Sequence, residues 1–271
     1  MEKEPNHPSC PAPAALKAIQ LVELFGKEKR PLKLTEIAAK LNSNKAMTLR
    51  VLRVFEKEGW VRRTGDRGPY RLTLRPLRFV AAALDSNELV SFATPLVKKL
   101  TQVTNCLVTI FVPDETQVTC IMCLEPPASV RVSTRLGYQF PYHSNAPGKV
   151  LLAYSSDEVV KEVLGRGLTK FTPNTISEPK KMLKEIESIR QCGYAVDHEE
   201  GFRGITCLNV PIFDYRNLCI ATLGLCTLLS YNTVDDLKRK YLSLLFQNGE
   251  KISEVMGYVG TYPLKYTSHR Q

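Results

Sequence analysis

The stretch LTEIAAKLNSNKAMTLRVLRVFEKEGW, Leu34 to Trp60, constrains this chain more than any other. Two short amphipathic runs flank a tight polar joint, Asn42-Ser43-Asn44. In the first run Ile37, Ala38 and Leu41 fall on one helical face, and in the second Thr48, Val51, Leu52 and Phe55 do. Gly59 stops the second run. Two short helices with such a joint make a helix-turn-helix unit, whose second helix enters the major groove. Here the outward face of that helix carries Lys45, Ala46, Met47, Arg50 and Arg53.

The flanks fit the same reading. Upstream, Ala15, Ala18, Ile19, Val22 and Phe25 recur at helical spacing and predict a first helix ended by Gly26. Downstream, WVRRTGDRGPYRLTL reads as strand, turn, strand, a hairpin placed where a wing belongs. It carries Arg62, Arg63, Arg67 and Arg71, suited to phosphates beside the groove. Asn44, Lys45, Met47, Arg50 and Arg53 are expected to meet the groove. Thr35, at the start of the preceding helix, sits where backbone N–H groups can hold a phosphate.

Charge supports a polyanionic partner for this segment alone. Residues 1–78 hold 17 Lys/Arg against 8 Asp/Glu, which leaves 20 against 19 of the totals 37 and 27 for everything after. A basic module joined to a nearly neutral one is the pattern of a nucleic-acid reader carrying a second function. Phosphate neutralisation alone does not separate DNA from RNA. The helix order and the hairpin favour duplex DNA.

The rest predicts a soluble cytoplasmic chain. It has no run of 18 apolar residues, and its start, MEKEPNHPSCPAPAA, lacks the pattern of a signal peptide. Eight cysteines fall mostly inside apolar runs, as buried free thiols do in a reducing compartment. Residues 1–13, with four prolines, read as a disordered lead-in, 14–75 as the winged helix-turn-helix, and 76–87 as a linker helix broken by Asp85-Ser86-Asn87. Residues 88–258 read as a second domain and 259–271 as a tail. In that domain apolar strands are expected at Cys106–Val112, Thr116–Glu125, Val130–Val132, Tyr194–His198, Ile205–Pro211 and Leu218–Leu225. Helices are expected at Pro147–Tyr154, Asp157–Leu164, Pro179–Cys192 and Val234–Met256. This is an α+β domain with a mainly antiparallel sheet flanked by helices. The loop His143 to Gly148 runs into a helix whose first N–H groups would suit a carboxylate.

With these segments in view the chain resembles the IclR family of bacterial transcriptional regulators. The likeness runs through AALKAIQLVELF, LTEIAAKLNSNKAMTLRVLRVFEKEGWV and GPYRLTLRPL. It continues through FPYHSNAPGKVLLA and GYAVDHEEGFRGITCLNVPIFD, over roughly residues 14–256. The family often reads Ser-Thr where this chain has Ala46-Met47, which removes two hydroxyls from the groove face. The resemblance implies a GAF-like or profilin-like effector domain and a linker helix that supports a homodimer or tetramer. It implies a double-stranded DNA operator and a small-molecule effector, usually a carboxylate or aromatic acid. By motif position the effector residues are Asn145, Ala146, Asp197, Cys207, Gly224 and Cys226. The family often has serine at the last two positions, so Gly224 and Cys226 predict a less polar pocket. The resemblance implies no cofactor, and more often a repressor than an activator.

Blander and rival readings stand beside these. Cys207 also reads as core, Asp197 as a turn cap and His143 as a hydrogen-bonded structural residue. His143, Asp197 and Cys207 together suggest a Cys-dependent enzyme, although no nucleophile motif surrounds Cys207. Cys120-x-x-Cys123 is half of a zinc motif without a second half, and in a regular strand its two side chains would point to opposite faces. No glycine-rich phosphate loop of the P-loop or dinucleotide type is present.

Overall fold

The computed structural model describes residues 12–65, 68–115 and 117–264, which divide into two compact units near Ala83. The first unit opens with three helices, α1 (Pro13–Glu28), α2 (Leu34–Lys40) and α3 (Lys45–Lys57). Most of the lead-in assigned to 1–13 lies outside the described residues, but Pro13 already belongs to α1. Proline is favoured in a first helical turn, where its missing N–H has no partner to lose. A two-stranded hairpin follows, β1 (Val61–Arg63) with β2 (Tyr70–Leu72). Leu32 and Tyr70 exchange backbone hydrogen bonds of 2.9 and 2.8 Å, which ties the hairpin to the segment before α2. Leu21, Phe25, Leu32, Ile37, Leu52, Val61 and Tyr70 form the core. Trp60 stacks on Phe79 of α4 (Leu77–Asp85) at 5.1 Å between ring centroids.

The second unit starts with α5 (Glu88–Thr104), capped by Asn87, whose Oδ1 accepts the Val90 N–H at 3.2 Å. Strands β3 (Leu107–Asp114), β4 (Gln117–Leu124) and β5 (Gln139–Pro141) follow. Next come a 3-10 turn at Tyr142–Ser144 and helices α6 (Ala146–Ala153), α7 (Asp157–Gly165) and α8 (Pro179–Cys192). Strands β6 (Ala195–His198), β7 (Ile205–Phe213) and β8 (Cys219–Leu228) and helix α9 (Val234–Val255) complete it. The six strands form one antiparallel sheet in the order β5-β4-β3-β8-β7-β6. Residues of α5 and α9, including Val97, Leu100, Leu245 and Ile252, cover one face over Val108, Ile110, Leu223 and Leu225. Residues of α6, α7 and α8, including Val150, Val160, Met182 and Ile186, pack on the other with Phe111 and Val118. The architecture is α+β, as expected.

Three expectations about this unit are corrected. No strand forms at Val130–Val132. The free edge of β4 is taken by the segment entering β5, through Gly137 N to Cys120 O (2.8 Å) and Cys120 N to Tyr138 O (2.9 Å). Residues 259–264 are not a tail, because the Tyr262 hydroxyl donates to Pro211 O at 2.6 Å and its ring packs on Phe213 and Phe246. Cys120 and Cys123 share a face. Cys120 is opposite Phe111 and Cys123 opposite Thr109, and the extra residue between them is a β-bulge that resets the alternation.

Candidate functional site

The basic face of the first unit is built by its caps. The Asn44 Oδ1 accepts the Met47 N–H at 2.8 Å and so fixes where α3 begins. Thr48, Val51 and Leu52 turn inward. Lys45, Arg50 and Arg53 are left exposed, with Met47 half-buried. Among the described residues the ion pairs of this unit join Arg30 and Lys40 to Glu28 and Glu36, and α3's cations take no part. Thr35 is exposed in the first turn of α2. There the Glu36 carboxylate already accepts the Lys33 N–H at 2.8 Å.

On the hairpin, Arg62 and Arg71 are cross-strand partners and both are exposed. Like charges directly opposite each other weaken a hairpin unless an anion lies between them. Arg63 is engaged within the hairpin: its Nε donates to Gly68 O at 3.3 Å and its guanidinium lies over the Tyr70 ring. Arg67 lies outside the described residues.

In the second unit a cavity of about 300 Å³ opens on the sheet face that also carries α6. Strand register arranges its floor in two rows. Asp197, Cys207, Cys226 and Leu107 form one across β6, β7, β8 and β3. Asn209, Gly224 and Thr109 form the next across β7, β8 and β3. Phe111, Phe140, Phe202 and Ile205 supply apolar wall, and Ser133, Thr134 and Arg135 part of the rim. Arg135 is exposed, 5.6 Å over the Tyr138 ring.

Of the residues expected from the sequence, Asn145, Asp197, Cys207 and Cys226 line this cavity. Ala146 and Gly224 are not on its wall. Ala146 is buried in α6, and Gly224 lies beneath the Asn209 side chain, which occupies the place a Cβ at 224 would take. Nor is the start of α6 an open anion cradle. The Gly148 N–H donates to Asn145 Oδ1 at 2.8 Å, the Lys149 N–H to Asn145 O at 3.1 Å, and Pro147 has none to give.

The electrostatics are set by burial. The Asp197 Oδ1 accepts the Glu200 N–H at 2.7 Å, and burial together with the Glu200 charge pushes its carboxyl up to about 7. Lys149 of α6 is 1% exposed and donates to Glu200 at 2.6 Å and to Glu185 at 2.9 Å. Burial opposes its charge, but the two carboxylates outweigh that and hold the ammonium ionised. Cys207 Sγ lies 2.8 Å from Cys226 Sγ. The shared hydrogen bond and burial hold the Cys207 thiol well above its ordinary range.

Two profiles match this sequence. The IclR helix-turn-helix domain covers residues 14–65, and the bacterial transcriptional regulator IclR C-terminal domain covers residues 81–254. This chain belongs to the IclR family of transcriptional regulators. The HTH-type transcriptional regulator KdgR of Dickeya chrysanthemi is 30% identical over 95% of this chain and 83% of its own. An IclR regulator from Alicyclobacillus acidocaldarius has a similar structure, with TM-score 0.81 and 30% identity over 90% of this chain and 99% of its own. A double mutant of the PobR inducer-binding domain from Acinetobacter, solved as a complex with 3-hydroxybenzoic acid, is similar too. It has TM-score 0.57 and 28% identity over 60% of this chain and 96% of its own.

Family membership makes the chain a DNA-binding transcriptional regulator with an effector-binding C-terminal domain, and not an enzyme. The geometry agrees that the rival Cys-dependent site is not assembled. His143 Nε2 is bonded to Thr169 O at 2.9 Å, and burial lowers its pKa. Cys207 is a neutral thiol turned to Cys226, and a neutral thiol is a poor nucleophile. Among the described residues no third His, Cys, Asp or Glu joins Cys120 and Cys123 in a metal-binding group, and no helix is long and apolar enough to cross a membrane.

Arg135, Thr109, Asn209 and the four-residue aromatic and aliphatic wall were not picked out from the sequence. Asn209 and Thr109 were findable in principle, because each alternates with apolar residues inside a strand. Arg135 sits in an irregular loop and carried no such signal.

Proposed function

We propose that this chain acts in the cytoplasm as a homodimeric repressor that a small organic acid releases from a palindromic operator. The exposed, unpaired cations of α3 carry this reading. Lys45, Arg50 and Arg53 line one helix face, and the helix cap and core packing fix that face outward. In this reading Asn44, Lys45, Met47, Arg50 and Arg53 enter the major groove. Arg62, Arg71 and Thr35 contact phosphates, joined by Arg67. Two copies would place two such helices on two half-sites, which a single copy cannot do.

The cavity is the effector site in this reading. Arg135 at its rim holds the carboxylate, and Phe111, Phe140 and Phe202 enclose the body of the acid. The complex of the doubly mutated Acinetobacter domain with 3-hydroxybenzoic acid supports an acid of this size. The effector shifts the DNA-binding equilibrium only by its differential affinity for the two forms of the protein, typically about 1–3 kcal/mol of coupling.

The test is fluorescence anisotropy on duplex DNA from upstream of the gene, against a scrambled duplex, at about 0.15 M salt, where purely electrostatic binding is weak. A preference of about a thousandfold for the upstream duplex is expected. An Arg50→Ala variant should lose about 1–3 kcal/mol of that preference. An undiminished preference would remove Arg50 from base reading.

A further inference from the structure

The deep end of the cavity differs in chemistry from its rim. Thr109, Gly224 and Asn209 lie side by side on three adjacent strands. A Cβ placed on Gly224 would come within 2.1 Å of Asn209 Nδ2 and 2.2 Å of its Cγ. The missing side chain at 224 is therefore what lets the Asn209 carboxamide lie flat across β8. Asn209 is 1% exposed and its Nδ2 makes one long hydrogen bond, 3.4 Å, to Thr222 Oγ1. Its Oδ1 has no partner among the described residues, and neither has the hydroxyl of Thr109, which is also buried. Both side chains line the cavity.

Both groups face the cavity and can hydrogen-bond a molecule that enters it. No cation accompanies these groups on the floor; the ionisable carboxyl in the two rows is that of Asp197, an acid rather than a base partner for a carboxylate. A carboxylate is disfavoured there. A hydroxyl or a carbonyl fits, because a carboxamide and a threonine hydroxyl between them both donate and accept.

We infer that Asn209 is the specificity-determining residue of the cavity, and that with Thr109 it selects acids carrying a hydroxyl or carbonyl oxygen remote from the carboxylate. This rests on the reading of the cavity as an acid-binding effector site. The acid lies with its carboxylate toward Arg135 and its neutral oxygen buried against Asn209 and Thr109. With glycine at 224, the polar group at this point of the floor is the Asn209 carboxamide.

Matched acids test this by isothermal titration calorimetry on the full chain. Benzoate is paired with 4-hydroxybenzoate, and hexanoate with 6-hydroxyhexanoate and 5-oxohexanoate. Wild type should bind the oxygenated member of at least one pair about tenfold more tightly, as one well-placed hydrogen bond in a dry site gives. Asn209→Leu, similar in shape but unable to hydrogen-bond, should bring that ratio within about twofold. Gly224→Ala should act in the same direction by displacing the carboxamide, and serves if the leucine variant does not fold. Equal binding of both members of every pair that binds, or a ratio unchanged in both variants, overturns the role of Asn209 and leaves the acid-binding reading standing. Failure of every acid to bind wild type overturns the acid-binding reading, and this inference with it.

Discussion

Asp197→Asn should make the effector domain more stable at neutral and alkaline pH. The ordinary carboxyl value is 3.8 and the folded one is about 7, so the two states differ by about 3 pH units. Each unit corresponds to about 1.36 kcal/mol, which makes about 4 kcal/mol the full range of the effect. The folded value is raised. The stability is therefore fully present below pH 4 and is lost as pH rises to about 7, because the unfolded chain releases its proton first. Asparagine keeps an oxygen for the Glu200 N–H and has no proton to release. Its advantage over wild type should grow by about 2 kcal/mol between pH 5.5 and pH 8. Urea unfolding without ligand, followed by circular dichroism at both pH values, measures this directly. A variant that is less stable at pH 8, with the same slope against pH as wild type, would show that Asp197 is ionised in the folded protein and that other contacts offset its burial.

Further predictions follow from other parts of the molecule. Arg71→Ala should weaken operator and random DNA alike and lower the salt-dependence slope by about 1, read by anisotropy across a salt series. Lys149→Met should destabilise the effector domain by about 3–5 kcal/mol in urea, because Glu200 is left as a buried charge without its cation. Tyr262→Phe should cost about 1 kcal/mol at 25 °C, the net worth of its hydrogen bond to Pro211 O, and a neutral result would restore 259–264 to the status of a tail.

Much of the fold could be read in advance because its signals are local. Asn44 and Asn87 announce α3 and α5 as caps, and the apolar period of Thr48, Val51 and Leu52 gives the buried side of α3 without reference to any other part of the chain. What could not be read depends on partners distant in sequence. The bulge that turns Cys120 and Cys123 to one side exists only in the pairing of β4 with β3. The edge position of β5 exists only in its pairing with β4, about twenty residues earlier in the chain. The candidate site divided in the same way. Asp197 and Cys207 lie in recognisable motifs, whereas the role of Asn209 depends on a glycine 15 positions away that register brings beside it. A glycine read along the chain is only a missing side chain; register shows that at Gly224 it is also space for Asn209.

The stacking of Trp60 on Phe79 has a practical consequence. Trp60 is the chain's single tryptophan, so its emission comes from one known place: the end of the DNA-reading unit, against the first helix leading out of it. The native protein thus carries its own optical reporter of that joint. A red shift on adding an acid, with no DNA present and no label attached, would mean that filling the cavity peels α4 from the indole. An unmoved spectrum alongside loss of operator binding would mean that the two units change their relation while this stack stays closed.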